Sequence, residues 1–302
     1  MSSKIKPLAL NIVIIIAALS VFMGLTVMTD PFNMFRYIAR GNPSAPLDDN
    51  SVRIPILMYH HFADDGSPGT VISADDFEKQ LKILSDEGYT AISFQELCDY
   101  VYDGAGLPER PFVITIDDGY LSVYETAFPL LRKYDMKATV FIIGVSHGKH
   151  LYKDTQYPII PRFGDAEALE MTRSGLISIQ SHSYDMHQHE PYETGPYRKG
   201  VLQRDGESDD EYIEAFKTDF GLAAAQIEAM TGARPFVYSY PYGFRNDKTD
   251  ALLRDMGVKV TLTIAAGFNA VSAGWPESLL RMNRFNVPGD MTPEELLWMI
   301  SG

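Results

Sequence analysis

The 302-residue chain carries 40 acidic and 26 basic residues, a formal net charge of −14, and a single cysteine. An acid excess of that size argues against nucleic acid and against electrostatic docking on anionic lipid, both of which need clustered Lys and Arg, and it suits a neutral or partly cationic polymer. One cysteine excludes an internal disulfide, and Cys98 in the helical pattern Phe94-Gln-Glu-Leu-Cys-Asp-Tyr-Val reads as a small buried apolar residue.

From the N-terminus, Lys4 and Lys6 precede Leu8–Thr29, 22 residues without a charge, where about 20 suffice to cross a hydrocarbon core. No small-x-small cleavage site follows before Asp30, so residues 1–29 read as a cytoplasmic stub and an uncleaved transmembrane signal anchor. Lysines on the short side place that end in the cytoplasm, so a single-pass protein of the cytoplasmic membrane with the rest of its chain outside is expected. Without those two lysines the exterior part has 24 basic and 40 acidic residues, a formal charge of −16. Residues 30–52, rich in Asn, Pro, Asp and Gly, read as a linker, and residues 53–302 as one domain of about the size of a single α/β barrel.

Within that domain strand and helix patterns alternate. Ile54–Tyr59 reads as a strand, and Ser73 caps a helix with early acids that runs to about Glu87. Thr90–Ser93 is a short strand, Phe94–Tyr102 a helix and Phe112–Ile116 a strand; Tyr120–Tyr134 is helical with Pro129 as a possible kink. Ala138–Gly144 is a strand, Asp165–Ser174 a helix, and Leu176–Gln180 a strand. A long polar loop over 188–208 carries Tyr192 and Tyr197, either solvated or placed to stack on sugar rings. Asp209–Thr231 is a long helix, followed by strand Phe236–Tyr240, helix Lys248–Met256, strand Val258–Ile264, a last strand Met282–Val287 and a helix Thr292–Ile300 capped by Thr292. Repeated β-α units call for a parallel sheet.

Two strand ends carry chemistry. Phe112-Val-Ile-Thr-Ile is an unbroken apolar run, as in a strand covered on both faces, and it stops at Asp117-Asp118-Gly119. Catalytic groups collect at the carboxyl ends of such strands, and two neighbouring carboxylates can divide metal binding and proton transfer between them. The run Ile177-Ser-Ile-Gln-Ser ends likewise in His182 and His187, with His189 just beyond and read as a solvated loop residue. Two imidazoles and one carboxylate make a three-ligand site with open positions, the pattern of a catalytic metal; zinc fits first, and iron, cobalt or nickel are compatible.

Thr115-Ile-Asp-Asp-Gly-Tyr120 resembles the Asp motif of polysaccharide deacetylases, the NodB-homology family. His182 through His187 is similar to its histidine motif, with the two histidines five apart as in the poly-N-acetylglucosamine deacetylase branch rather than four. Ser239-Tyr-Pro-Tyr-Gly243 resembles the third motif in that branch's form, and Pro55-Ile-Leu-Met-Tyr-His-His61 its opening strand. The resemblance implies an α/β fold, a distorted and incomplete (β/α) barrel of about seven parallel strands. It makes Asp118, His182 and His187 the metal ligands, Asp117 the base, the backbone amide of Tyr242 an oxyanion donor and His60 the acid for the leaving amine. The histidine that many members carry near the C-terminal end is missing, since none follows His189. Of the others, His61 is expected to face away by strand alternation, and His147 and His150 to lie exposed in a loop. The arginine of the usual third motif is also missing; Arg281 or Arg284 could take its place, and Arg284, before an apolar run, is preferred.

The implied activity is that of a polysaccharide N-deacetylase: metal-dependent removal of N-acetyl groups from an extracellular glycan, either poly-N-acetylglucosamine or peptidoglycan, by a monomer. An O-acetyl esterase on an acetylated polysaccharide and a non-catalytic glycan-binding module are the alternatives.

Overall fold

The computed structural model describes residues 51–64, 69–193 and 195–301. The proposed anchor over 8–29 and the linker up to residue 50 lie outside the described residues, among which no helix is long and apolar enough to cross a membrane.

Twelve strands and seven α-helices are described. The strands are β1 (Ser51–Ile54), β2 (Ile56–Tyr59), β3 (His61–Phe62), β4 (Val71–Ile72), β5 (Thr90–Ala91), β6 (Pro111–Ile116), β7 (Ala138–Ile142), β8 (Ile177–Ser181), β9 (Val237–Ser239), β10 (Val260–Leu262), β11 (Asn269–Ser272) and β12 (Phe285–Asn286). The helices are α1 (Ala74–Asp86), α2 (Phe94–Asp103), α3 (Phe128–Lys133), α4 (Asp165–Arg173), α5 (Asp209–Thr231), α6 (Asp247–Asp255) and α7 (Pro293–Ser301). The main sheet runs β10-β9-β8-β7-β6-β2-β12 with β5 beside β6, and every pairing within it is parallel. Its two ends are drawn together by one segment: Met282 bridges to Leu262 of β10, and Phe285 and Asn286 pair with Leu57 and Met58 of β2. The result is a half-barrel of parallel strands with helices around it, the arrangement of a distorted (β/α) barrel.

Every residue of β2, β6 and β7 is buried, which is why these strands read as continuous apolar runs. Successive side chains still alternate between two packing layers. Leu57, Tyr59, Ile114, Ile116, Val140 and Ile142 pack outward against α1, α3 and α7, whereas Ile56, Val113, Phe141, Val237, Leu262 and Met282 fill the inside with residues of α2. That alternation decides which polar residues share the inner face at the strand ends.

The long helix α5 has the bounds expected from sequence, Ser208 and Gly232 supplying its caps. Elsewhere the structure departs from expectation. Tyr120–Tyr134, expected as a helix with a kink at Pro129, is helical without a break over 121–133, but a π-helical turn over Val123–Ala127 leads into α3, because Pro129 lacks the N–H that a regular turn would donate there. The antiparallel pair β1–β11 and the short parallel pair β3–β4 were not expected; β1 begins at Ser51, inside the stretch read as linker.

Candidate active site

The site forms where β2, β6, β8 and β9 end. Asp118 (φ 74°), Ser183 (φ 76°) and Tyr242 (φ 57°) follow three of those strands in left-handed backbone, three of the six non-glycine residues in that region among the described residues. Each such residue costs on the order of 1–3 kcal/mol and persists only where its surroundings enforce it, a condition that concentrates at functional sites. Gly119 (φ 68°) also lies in left-handed backbone, and a Cβ there would crowd Cγ2 of Ile142 at 3.0 Å.

Asp118, His182 and His187 converge, their ligand atoms all within 4.8 Å of one another. Oδ1 of Asp118 lies 3.7 Å from Nε2 of His182 and 3.6 Å from Nε2 of His187, beyond hydrogen-bond range. Ligand atoms about 2.0–2.2 Å from a tetrahedral zinc stand about 3.3–3.6 Å apart, close to those separations. Nδ1 of His182 donates to the carbonyl of Ser239 at 2.7 Å, which turns Nε2 towards Asp118. Burial, working against the pull of Asp118, takes the His187 imidazole down to about 3, so its ring is neutral at physiological pH. Asp118 Oδ1 is buried with no hydrogen-bond partner among the described residues. An orphaned carboxylate oxygen opposite two imidazoles is a donor set that fits a divalent cation. The Asp118 carboxyl, which burial alone would raise, is held well below the usual range by His187, Arg162, His60 and His182.

Beside this group, Asp117 is only 2% exposed and Arg284 fully buried. The guanidinium grips the carboxylate with both prongs, Nη1 to Oδ1 at 2.7 Å and Nη2 to Oδ2 at 2.8 Å. It also donates to Ser239 Oγ at 3.0 Å and, through Nε, to the carbonyl of Thr263 at 2.9 Å. Burial pushes the Asp117 carboxyl up; the Arg284 guanidinium, with His182 beside it, more than offsets that and holds it below the ordinary value. Arg281, the alternative read from sequence, points elsewhere, with Nε 2.5 Å from Asp250.

The remaining histidines separate. His60 is half-buried, and its Nδ1 has no hydrogen-bond partner among the described residues. His61 packs its ring 4.9 Å from Tyr120, with Nδ1 2.8 Å from Ser122 Oγ. His150 and His189 are exposed, and His189 is not part of the ligand group. His147, expected in solvent, is not: its side chain is 6% exposed, set edge-on to Phe163 with Nε2 2.8 Å from Asp165. Tyr242 lays its ring 4.2 Å from that of His187 and donates its hydroxyl to the carbonyl of Gln188 at 3.0 Å.

A profile described as Polysaccharide deacetylase matches residues 104–261, more than half of the chain. The chain belongs to the polysaccharide deacetylase family. Among curated relatives, the poly-β-1,6-N-acetyl-D-glucosamine N-deacetylase of Escherichia coli (strain K12) is 24% identical over 232 residues, 70% of this chain and 34% of that protein. The enzyme of the same name from Staphylococcus aureus (strain MRSA252) is 26% identical over 188 residues, 62% of this chain and 59% of that one. Alignments thus span roughly a third to three-fifths of those curated relatives. Among solved structures, IcaB from Ammonifex degensii superposes with a TM-score of 0.67 at 26% identity, covering 82% of this chain and 97% of that one. The Streptococcus pyogenes deacetylase PplD, in complex with acetate, shares the fold with a TM-score of 0.65 at 24% identity, covering 83% of this chain and 99% of that one.

Two residues of this polysaccharide deacetylase site escaped sequence reasoning. Arg162 donates to the carbonyl of Asp118 at 2.9 Å and lies 3.7 Å over the Tyr120 ring; nothing in its loop sequence marked it. Asp219 of α5 accepts from the backbone amides of Tyr184 at 2.9 Å and Asp185 at 2.6 Å, inside the loop joining His182 to His187. Its signal was legible, a carboxylate on the same buried stripe as Tyr212, Phe216, Phe220 and Ala223.

Proposed function

We propose that the protein is a metal-dependent N-deacetylase acting on an N-acetylated glycan, poly-N-acetylglucosamine or peptidoglycan, outside the cytoplasmic membrane to which Leu8–Thr29 anchors it. The observation that carries the reading is the pair of neighbouring carboxylates in different settings: Asp118 opposite two imidazoles, and Asp117 clamped by a buried arginine. Support for the substrate class comes from relatives named for deacetylating poly-β-1,6-N-acetyl-D-glucosamine.

Asp118, His182 and His187 hold the divalent ion, zinc or else iron, cobalt or nickel. When bound, that ion would supply Lewis acidity, which raises the electrophilicity of an amide carbonyl and the acidity of water at neutral pH. Asp117, kept ionised and fixed in position by Arg284, accepts the proton of the attacking water. The backbone N–H of Tyr242 donates to the oxyanion that develops on the substrate carbonyl. His60 donates the proton that lets the amine leave, which replaces the C-terminal histidine this chain lacks. A pure glycan-binding module has no use for a buried Arg–Asp clamp beside the ligand group, so catalysis is favoured over binding alone.

The deciding assay sets acetate release from N-acetylglucosamine oligomers beside release from acetylated xylan. Turnover of the amide is expected, and Asp117→Asn should abolish it while retaining metal. Release from the ester alone makes the protein an O-acetyl esterase, and an Asp117→Asn enzyme of full activity removes the assigned base.

A further inference from the structure

A row of aromatic rings leads from the ligand group to the surface. The His187 and His189 rings lie 6.3 Å apart, His189 and Tyr192 6.1 Å, and Tyr192 and Tyr157 5.2 Å. Tyr157 and Tyr192 end the row and are exposed, at 50% and 37%. They come from different loops, one before α4 and one after the histidine motif.

Their support is buried and charged. Tyr152, 5% exposed, lies beneath them 5.4 Å from Tyr192 and gives its hydroxyl to Glu193. Lys153 joins Glu193 at 2.7 and 2.8 Å to Asp185 at 2.7 Å, and Asp185 lies in the loop between the two ligand histidines. Tyr157 closes the base of a tight turn, its carbonyl accepting from the Tyr152 amide at 2.8 Å beside the antiparallel bridge of Leu151 and Pro158. The two exposed rings are therefore tied to the same loop that carries His187, so whatever lies on them is positioned relative to the reacting group.

We propose that Tyr157 and Tyr192 form a glycan subsite, a stacking shelf for the apolar ring faces of hexosamine units next to the one being deacetylated. The proposal rests on the function proposed above and deepens it. Tyrosine rings offer rigid, flat contact at small entropy cost, and their hydroxyls stay in water. Continuity with the ligand group through His189 and Tyr192 assigns the shelf to the polymer that enters the site. Glu190, Glu193 and Asp185 outnumber Lys153 beside the shelf, and that acidic excess favours neutral or cationic sugars, including glucosamine already freed of acetate, over uronic-acid polymers.

The test is chain-length dependence in the full-length protein. For wild type, kcat/KM on β-linked N-acetylglucosamine should rise from dimer to pentamer, mostly through KM. In Tyr157→Ala and Tyr192→Ala the pentamer-to-dimer ratio should fall by roughly three- to tenfold per ring, and Tyr192→Phe should keep most of it. An equal loss on both lengths makes the tyrosines structural, and an unchanged ratio removes the shelf. If wild type releases no acetate from either oligomer, the proposed function falls; pentamer binding by calorimetry then reads the shelf alone, and equal affinity in wild type and Tyr192→Ala overturns it.

Discussion

Arg284→Met should cost about 3–5 kcal/mol of stability, the range for removing one partner of a buried ion pair. The structure gives the same order independently. Two short charge-assisted hydrogen bonds join Arg284 to Asp117, each worth about 1.5–3 kcal/mol, and methionine fills similar volume without replacing either. For a domain of this size the loss lowers the unfolding midpoint by about 6–20 °C. The pH dependence sharpens the test. In wild type the Asp117 pKa lies below the unfolded value of 3.8, so its contribution is present above that value and lost as pH falls through the folded pKa. Without Arg284, burial dominates and the folded pKa rises above the unfolded one, so the variant loses stability as pH rises instead. The gap between the two proteins should therefore widen from acid to neutral pH. Thermal unfolding of the metal-free proteins across that span measures it, and Arg284→Lys, which keeps the charge but not the fork, should fall between them. A parallel pair of stability curves would refute the account of the clamp, as would wild-type acetate release by Arg284→Met at neutral pH.

His182→Ala and His187→Ala should lose bound metal, whereas His189→Ala keeps it; elemental analysis of protein purified without a nickel column decides, and loss in His189→Ala alone would reassign the third ligand. His60→Ala should lower turnover by about 10²–10⁴-fold with metal content unchanged; a folded, metal-loaded variant with near wild-type turnover removes His60 as the acid. Asp219→Ala orphans two buried amides at about 1–3 kcal/mol each, yet it also removes a carboxyl that burial raises to about 6, an offset of about 3 kcal/mol at neutral pH. Unfolding should thus shift little while metal affinity drops by about 10–100-fold, and an unchanged metal titration would mean that Asp219 only packs.

What was legible in the sequence was whatever depends on local pattern. Fully buried strands read as unbroken apolar runs, and the capping residues Ser73 and Thr292 marked helix starts that the structure keeps. The order of the strand-end motifs gave the family. Contacts set only by the fold were not legible. β1 and β11 are separated by more than two hundred residues and are four residues each, too short to show a period of their own. His147 sits in a polar stretch, and only tertiary packing places Phe163 against it. Between Arg281 and Arg284 the sequence offered a weak preference, and the fold separates them: Arg281 adopts a left-handed backbone and turns to Asp250, while Arg284 enters the interior.

The same alternation that fills the half-barrel explains how residues far apart in sequence meet. Asp117 continues the inner-facing series of Val113 and Thr115, Ser239 that of Val237, and Arg284 that of Met282. His182 stands opposite in phase to the outward Ile177 and Ile179, and His60 to Leu57 and Tyr59. Five polar groups thus reach one interior face, four at the ends of β2, β6, β8 and β9 and Arg284 just before β12, because each stands in the right phase. Asp118 is out of phase with Asp117 and would point outward if β6 continued. The left-handed turn at Asp118 and Gly119 redirects it towards His182 and His187 instead. Two carboxylates adjacent in sequence are therefore delivered to different partners, one to an arginine inside the barrel and one to imidazoles at its rim, and that separation allows one to act as base while the other holds metal.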